Sequence, residues 1–273
     1  NKGAGNTGTR NTSAGNAGAG TASAGSKSGG TKRSGKTTRV GNDGKRTLAT
    51  RVKTAKGRRL SSTRWLQRQL NDPYVAEARE QGLRSRAAFK LQQIQEKHHI
   101  LKLGDCVVDL GAAPGGWSKL AADWVGALAP AGNKQGTVVA LDLVEIEPIA
   151  GVTFLEMDFM DDTAPERLMA ALNGRPVDAV ISDMAAPSTG HKQTDHLRII
   201  GLCEAALEFA RDVLAPGGIF LAKVLQGGTT GDLLTLMKRD FKKVRHVKPE
   251  ASRADSSELF VLATGFRGRA TPE

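Results

Sequence analysis

Four charged residues stand where a charge is costly to bury unless it is paired or used: Lys90, Asp183, Lys223 and Glu258. Lys223 lies inside the apolar run Phe220-Leu221-Ala222-Lys223-Val224, near the end of an expected strand. Asp183 ends another, in Ile181-Ser182-Asp183-Met184-Ala185-Ala186-Pro187. Lys90 falls on a helix opened by Ser85-Arg86-Ala87-Ala88-Phe89, and Glu258 opens the last expected strand after Ser256-Ser257. Taken singly, Lys90 and Glu258 each read as a solvated charge. Taken together they suit removal of a proton from a weak nucleophile such as a ribose 2′-hydroxyl. An amine accepts a proton only when neutral, and burial beside a second cation disfavours its charged form. Two carboxylates would orient the two amines and offset their charge.

A second constellation lies at the other expected strand ends. Asp109-Leu110-Gly111-Ala112-Ala113-Pro114-Gly115-Gly116-Trp117 follows a short buried strand and opens a helix. Its glycines permit positive φ and close approach of backbone to a ligand. The spacing G-x-x-x-G-G departs from the G-x-G-x-x-G of dinucleotide binders, and no Lys-Ser/Thr follows to cradle phosphates. Asp142 closes the next strand, where a carboxylate can accept from both hydroxyls of a ribose. Asp158 follows the third strand and is placed to take an adenine amine. A nucleoside bearing a sulfonium fits such a site, because it has no pyrophosphate to hold.

The elements that must position these residues alternate. Strands are expected at Cys106–Leu110, Thr137–Leu141, Val152–Leu155, Val177–Ser182, Ile219–Val224, Lys243–Val247 and Leu259–Thr264. Helices are expected at Ser85 to about Ile100, Trp117 to about Leu128, Ala164–Leu172, Thr194–Leu214 (stopped by Pro216-Gly217-Gly218) and Gly231–Asp240. That alternation predicts an α/β fold, a mostly parallel sheet with helices on both faces. In such sheets ligands bind beyond the carboxyl ends of the strands.

Charge divides the chain in two. Residues 1–60 hold 14 Lys/Arg against Asp43 alone, whereas residues 61–273 hold 25 Lys/Arg against 27 acids. The first stretch is a basic extension rich in Gly, Ala, Ser and Thr, expected to be disordered because it has too little apolar surface to offset chain entropy. An electrostatic tether to RNA phosphates is its expected role. The folded body is expected over 61–268, with 269–273 as a tail. No apolar window is long enough to cross a membrane, and nothing at the start reads as a secretory signal. Cys106 and Cys203, far apart in apolar segments, are expected to be reduced thiols in a cytoplasmic protein. His98, His99, His191 and His196 show no metal-ligand spacing with the acids, so no metal is expected. Arg64, Arg84, Arg86, Lys192 and Arg253 are the candidates for phosphate contacts.

The sequence resembles the FtsJ (RlmE) family of ribosomal RNA large-subunit methyltransferases. The resemblance is carried by Gly82-Leu83-Arg84-Ser85-Arg86-Ala87-Ala88-Phe89-Lys90-Leu91, the stretch Val108 to Ser118, Ser182-Asp183-Met184-Ala185, Asp212-Val213-Leu214-Ala215-Pro216-Gly217-Gly218 and Ser252-Arg253-Ala254. It extends from about Ser62 to Gly268. It implies a Rossmann-like methyltransferase fold with seven strands, the last antiparallel, and S-adenosyl-L-methionine as cofactor. It implies a tetrad of Lys90, Asp183, Lys223 and Glu258, with Lys223 as proton acceptor, and cofactor contacts from Gly115, Trp117, Asp142, Asp158 and Asp183. The implied substrate is a uridine 2′-hydroxyl of 23S rRNA, methylated on the assembled large ribosomal subunit by a monomeric enzyme. The segment Ala185 to Lys192 departs from the family's usual Ala-Pro-Asn opening, which bears on target choice.

Three other readings share parts of this pattern. A nicotinamide-dependent dehydrogenase would share the strand-end architecture, but the glycine spacing and the Lys/Asp pair disfavour it. A methyltransferase acting on tRNA or another RNA would use the same chemistry. A ribosome assembly factor of this fold without catalysis would not need all four tetrad positions filled.

Overall fold

The computed structural model describes residues 38–40, 46–48, 60–130, 134–227 and 231–268. The expectations for 1–37 and for the tail 269–273 lie outside them. Two compact units divide after Ala49. In the first, Thr38–Val40 (β1) and Arg46–Leu48 (β2) pair antiparallel, with Val40 opposite Arg46. This short ribbon lies inside the stretch expected to lack regular structure.

The second unit opens with three helices. Leu60–Leu70 is α1, and Pro73–Glu80 is α2, with Asp72 accepting from the Tyr74 N–H (3.2 Å) at its cap and proline at its first position. Ala87–His98 is α3, which buries Leu91 and Ile94 against the sheet and Phe89 on another side against Ala78 and Ala251; Ala88 and Lys90 are buried as well. From there strands and helices alternate. In chain order they are β3 (Cys106–Leu110), α4 (Gly116–Val125), β4 (Thr137–Asp142), β5 (Val152–Glu156), α5 (Ala164–Leu172) and β6 (Val177–Ser182). Then come α6 (Lys192–Val213), β7 (Leu214–Leu225), α7 (Gly231–Asp240), β8 (Phe241–Val247) and β9 (Glu258–Phe266).

The sheet has seven strands in the order β5-β4-β3-β6-β7-β9-β8, and β9 is antiparallel to both its neighbours. The expected α/β architecture is therefore found, with the last strand reversed. One face of the sheet packs Leu91, Ile94, Trp117 and Ala121 from α3 and α4, and the other packs Leu168, Leu207 and Met237 from α5, α6 and α7. The chain runs outward from β3 through β4 to β5, then returns to lay β6 on the other side of β3. That reversal opens a crevice at the carboxyl ends of β3 and β6.

Most boundaries shift by one to three residues, and the start of β7 departs furthest from expectation. Helix α6 ends at Val213, and β7 already begins at Leu214, five residues before the expected strand. Leu214 is buried opposite Val177; the register then shifts, so that Ala179 faces Ile219. Pro216 and Gly217 (φ +91°) occupy the shift, where a missing N–H and a left-handed residue are tolerated. Cys106 and Cys203 are both buried free thiols, and burial raises their pKa values to about 11 and about 12.

Candidate active site

Sheet register explains how residues so far apart in sequence meet. Ser182 pairs with Ala222, so Asp183, the next residue, emerges beside Lys223. Lys223 pairs with Phe260, and Glu258 pairs with Leu225, two residues along the same face. Helix α3 crosses that face and brings Lys90 in from its first turn. Lys90 Nζ lies 2.8 Å from Glu258 Oε1 and 3.6 Å from Asp183 Oδ2. Lys223 Nζ lies 2.8 Å from Asp183 Oδ1 and donates to the Asp183 main-chain carbonyl at 2.7 Å. The four expected residues thus form one constellation, two cations interleaved with two carboxylates.

All four are largely withdrawn from water, with side chains 10–18% exposed. Paired burial of this kind is tolerable only because each charge has a near neighbour of opposite sign. Burial acts most strongly on Glu258 and opposes its ionisation. The charges of Lys90 and Lys223, with hydrogen bonds from Lys90 and Ser252, together outweigh it and leave the carboxyl below its ordinary pKa. Ser252 Oγ donates to Glu258 Oε1 at 2.9 Å, and Glu258 N–H donates to Ser256 Oγ. Lys90 Nζ also lies 5.7 Å from the centre of the Phe260 ring.

The glycine turn lies on the same edge of the sheet. Gly111 has φ +77°, and a side chain there would meet Met184, its Cβ lying 2.7 Å from Met184 Cγ. Gly115 has φ +95° and leaves similar room for Ile149. The two glycines let the β3, β4 and β6 ends close around a narrow backbone cradle. Asp142 Oδ2 accepts from the Ala113 N–H (2.8 Å), and its Oδ1 accepts from Val144 N–H (3.0 Å). The second lone pair of each oxygen is left for a ligand. Asp158 is exposed, and its Oδ1 accepts from Met160 N–H (2.9 Å). Leu143, Val144 and Met160, beside these two acids, are exposed apolar side chains.

Trp117 does not present its ring to this cradle. Its indole is 3% exposed, donates to the Ala87 carbonyl at 2.7 Å and packs against Phe260. It joins α4, α3 and β9, and through them the cradle to Lys90 and Glu258.

Three of the candidate phosphate-contacting cations are directed at protein acceptors. Arg84 donates to the carbonyls of Pro114, Glu147 and Pro148, tying the glycine turn to the loop after β4. Arg86 and Arg253 converge on Asp72, at 3.1 Å each, and Arg86 also donates to the Ala251 carbonyl. A guanidinium beside a buried carboxylate gains more from that pairing than from water. Lys192 is exposed at the start of α6. The Arg64 side chain lies outside the described residues.

Sequence reasoning missed several residues. Asp72 was legible as a helix cap, since it precedes Pro73, but its partner Arg253 is 181 positions away. Asp109, with no exposed surface, accepts from Ser118 Oγ at 2.6 Å beneath the glycine turn. Asp195 gathers Ser188 Oγ, Thr189 N–H and Thr189 Oγ, which folds the divergent segment after Asp183 onto α6 and holds the Asp195 pKa at about 2. Only the polarity of Ser188-Thr189-Gly190 hinted at that turn.

The sequence matches the FtsJ-like methyltransferase family over residues 83–266. The chain belongs to that family. It is 63% identical over 230 residues to the ribosomal RNA large subunit methyltransferase E of Xanthobacter autotrophicus, covering 84% of this chain and 88% of the relative. It is 61% identical over 225 residues to the protein of the same name from Azorhizobium caulinodans, covering 82% and 92%. Among solved structures it is similar to one described as a ribosomal RNA methyltransferase from Plasmodium falciparum, with TM-score 0.58 and 27% identity, covering 68% of this chain and 100% of the other. Family membership accounts for the fold, the glycine cradle and the strand-end acids together. Among the described residues no group of three His, Cys, Asp or Glu is placed to hold a metal ion, and no helix is long and apolar enough to cross a membrane.

Proposed function

We propose that this FtsJ-like methyltransferase moves the methyl group of S-adenosylmethionine to the 2′-hydroxyl of a uridine in 23S rRNA, on the assembled large subunit. The observation that carries the reading is the closed Lys90–Asp183–Lys223–Glu258 constellation beside the glycine cradle. The names of the relatives, each a ribosomal RNA large subunit methyltransferase, support the substrate class.

The residues present fit the cofactor. A Cβ at Gly111 or Gly115 would collide with Met184 or Ile149, so glycine is what lets the turn fold tightly beside Asp142 and keep its backbone next to the strand ends. Asp142 would take the ribose hydroxyls, Asp158 the adenine amine through its remaining oxygen, and Val144 and Met160 would cover the base. Gly115 opens α4, whose first-turn N–H groups, that of Trp117 among them, have no partner within the helix and suit a carboxylate. Trp117 would therefore contribute main chain, not its ring. Asp183, between cradle and tetrad, would border the reacting end. S-adenosylmethionine would supply a methyl group made electrophilic by its sulfonium.

The chain's own groups would then do three things. Asp183 holds Lys223 Nζ through both its carbonyl and its carboxylate, fixing the atom that takes the hydroxyl proton. Lys223, a cation in the resting site, first releases a proton to solvent; its Nζ then accepts the hydroxyl proton and is again an ammonium facing Asp183. Glu258, itself held by Ser252, keeps Lys90 in place as a fixed positive charge beside the developing alkoxide. In-line transfer depends on this fixed alignment, which supplies much of the acceleration. Lys192 is proposed to contact RNA phosphate, while Arg84, Arg86 and Arg253 hold the walls of the cleft.

The test is transfer of tritiated methyl from S-adenosylmethionine to large subunits from a strain lacking the enzyme, with free rRNA and tRNA alongside. Label confined to one 2′-hydroxyl on the subunit is the expected result. Label on tRNA alone would move the substrate. No label on any RNA, with the cofactor bound, would leave an assembly factor.

A further inference from the structure

The body of the chain carries a slight excess of acid, yet residues 238–248 hold six Lys/Arg against Asp240 alone. Half of that charge (Lys242, Lys243 and Arg245) lies on β8, whose outer edge pairs with no other strand of the sheet. Lys242, Lys243, Arg245 and Lys248 are all exposed. Lysines on an open edge strand have a bland use: they discourage pairing with another chain. That use does not explain a concavity.

The last two turns of α3 and the end of β8 enclose an open groove of about 640 Å³, lined by Lys97, His98, Arg245 and Lys248 together with the acids Glu96 and Glu250, three cations against two carboxylates. Among the described residues Lys97, Lys242, Lys243 and Arg245 form no ion pair. The local field is positive enough to act on His98, whose pKa is lowered first by burial and then by Arg245 and Lys97. Unpaired cations drawn from two elements around one groove are the arrangement of an anion-binding surface.

The groove is joined to the tetrad. Helix α3 carries Lys90 in its first turn and Lys97 in its last, about 10 Å further along its axis. Because β9 is antiparallel to both neighbours, β8 runs with β7 and ends on the same sheet edge as the tetrad. The loop leaving β8 starts at Lys248, which donates to the Ser256 carbonyl, and reaches Glu258 through Ser252. One helix and one loop therefore link the groove and the reacting residues.

We infer that this α3–β8 groove binds the phosphodiester backbone of the RNA next to the target nucleotide, through Lys97, Arg245 and Lys248. The inference rests on the RNA methyltransferase reading above. It assigns substrate-holding work to residues outside the cleft, where phosphate contacts position the strand without reading its sequence.

The test compares the full chain with Lys97→Gln/Arg245→Gln/Lys248→Gln and with a control, Lys102→Gln/Lys134→Gln/Arg167→Gln, which removes as much charge from exposed positions elsewhere. Binding to unmethylated large subunits is measured across salt concentrations, together with KM, kcat and S-adenosylmethionine affinity. Loss of three phosphate contacts lowers the slope of log K against log salt by about 2. The groove variant is expected to show that change and a severalfold higher KM, with kcat and cofactor affinity kept and the control unaffected. A wild type that methylates RNA while the groove variant keeps its slope and KM overturns the groove alone. Equal losses in groove variant and control also overturn it, since total charge would then be the cause. A wild type that neither methylates nor binds RNA overturns the groove and its parent reading together.

Discussion

Asp109 offers a stability test of how the glycine turn is built. It lies on β3 with no exposed surface; Oδ2 accepts from Ser118 Oγ, while Oδ1 has no hydrogen-bond partner among the described residues. Burial is the main cause that raises its pKa from 3.8 to about 7; the charges of Asp183 and Asp142 push the same way, and the hydrogen bonds from Ser118 oppose them. Below the unfolded value the acid is protonated in both states, and its contribution to stability is complete. Between the two values the unfolded chain releases its proton while the folded chain keeps it, so stability falls as pH rises. Above about pH 7 both states are ionised and the fall ends. Each pH unit between the two pKa values is worth about 1.4 kcal/mol, so the loss approaches 4 kcal/mol as an upper bound, on the order of 2–4 kcal/mol. Asp109→Asn keeps an acceptor for Ser118 but cannot ionise. Its new amide hydrogens lack a partner and cost about 1–3 kcal/mol at every pH, which offsets the curve without tilting it. Guanidinium unfolding of both proteins from pH 5 to 8.5 gives a difference curve free of other titrating groups. The difference is expected to shift in favour of the asparagine variant as pH rises from 5 to about 7 and to level off above that. Two parallel curves would show that Asp109 does not hold a proton in the folded state, and the argument from its burial would fail.

Three other outcomes are expected. Lys223→Ala should lower kcat by about 10²–10⁴ with S-adenosylmethionine affinity nearly unchanged; a fully active variant removes the assigned base. Gly111→Ala should weaken cofactor binding and lower stability by about 1–3 kcal/mol. Gly174→Ala, with φ +71° and nothing within 4 Å of its added Cβ, should show the backbone strain without the loss of cofactor affinity, and equal behaviour of the two would dismiss the cradle. Deleting residues 1–44 should flatten the salt dependence of RNA binding while leaving the unfolding midpoint of the body unchanged; an unaltered slope would deny the basic extension its tethering role.

The residues that were legible in advance are those whose meaning is local. Gly111, Gly115, Asp142 and Asp158 each follow a strand, and a strand announces itself within five or six apolar residues. Lys223 was legible because a charge in an apolar run stands out, and Lys90, Asp183 and Glu258 because together with it they suit one reaction. What pairs with what was less legible. Arg84, Arg86 and Arg253 were expected to face phosphates because they are cations in motif segments. A charge carries no sign of whether its partner is solvent or a carboxylate 181 residues away, as Asp72 is for Arg253. The start of β7 was missed because Pro216 and Gly217 read as a stop, whereas a register shift lets the ladder pass them. The basic run on β8 was visible, but the groove it lines needs α3, about 150 residues earlier.

The cofactor end and the chemical end share structural supports, which bears on how substitutions will combine. Met184, next to Asp183, occupies the space that Gly111 leaves open, so the turn that receives the cofactor also fixes the residue that aims Lys223. Trp117, one residue into α4, donates to Ala87 three residues before Lys90 and packs on Phe260 two residues after Glu258. A packed indole cannot move one of those contacts without straining the other. Substitutions at Gly111, Trp117 and the tetrad therefore act on one network and will not be additive. This also explains why the four charges can remain buried. Their separations are held by β6, β7, β9 and α3 together, and no single pair has to maintain the alignment on which transfer depends.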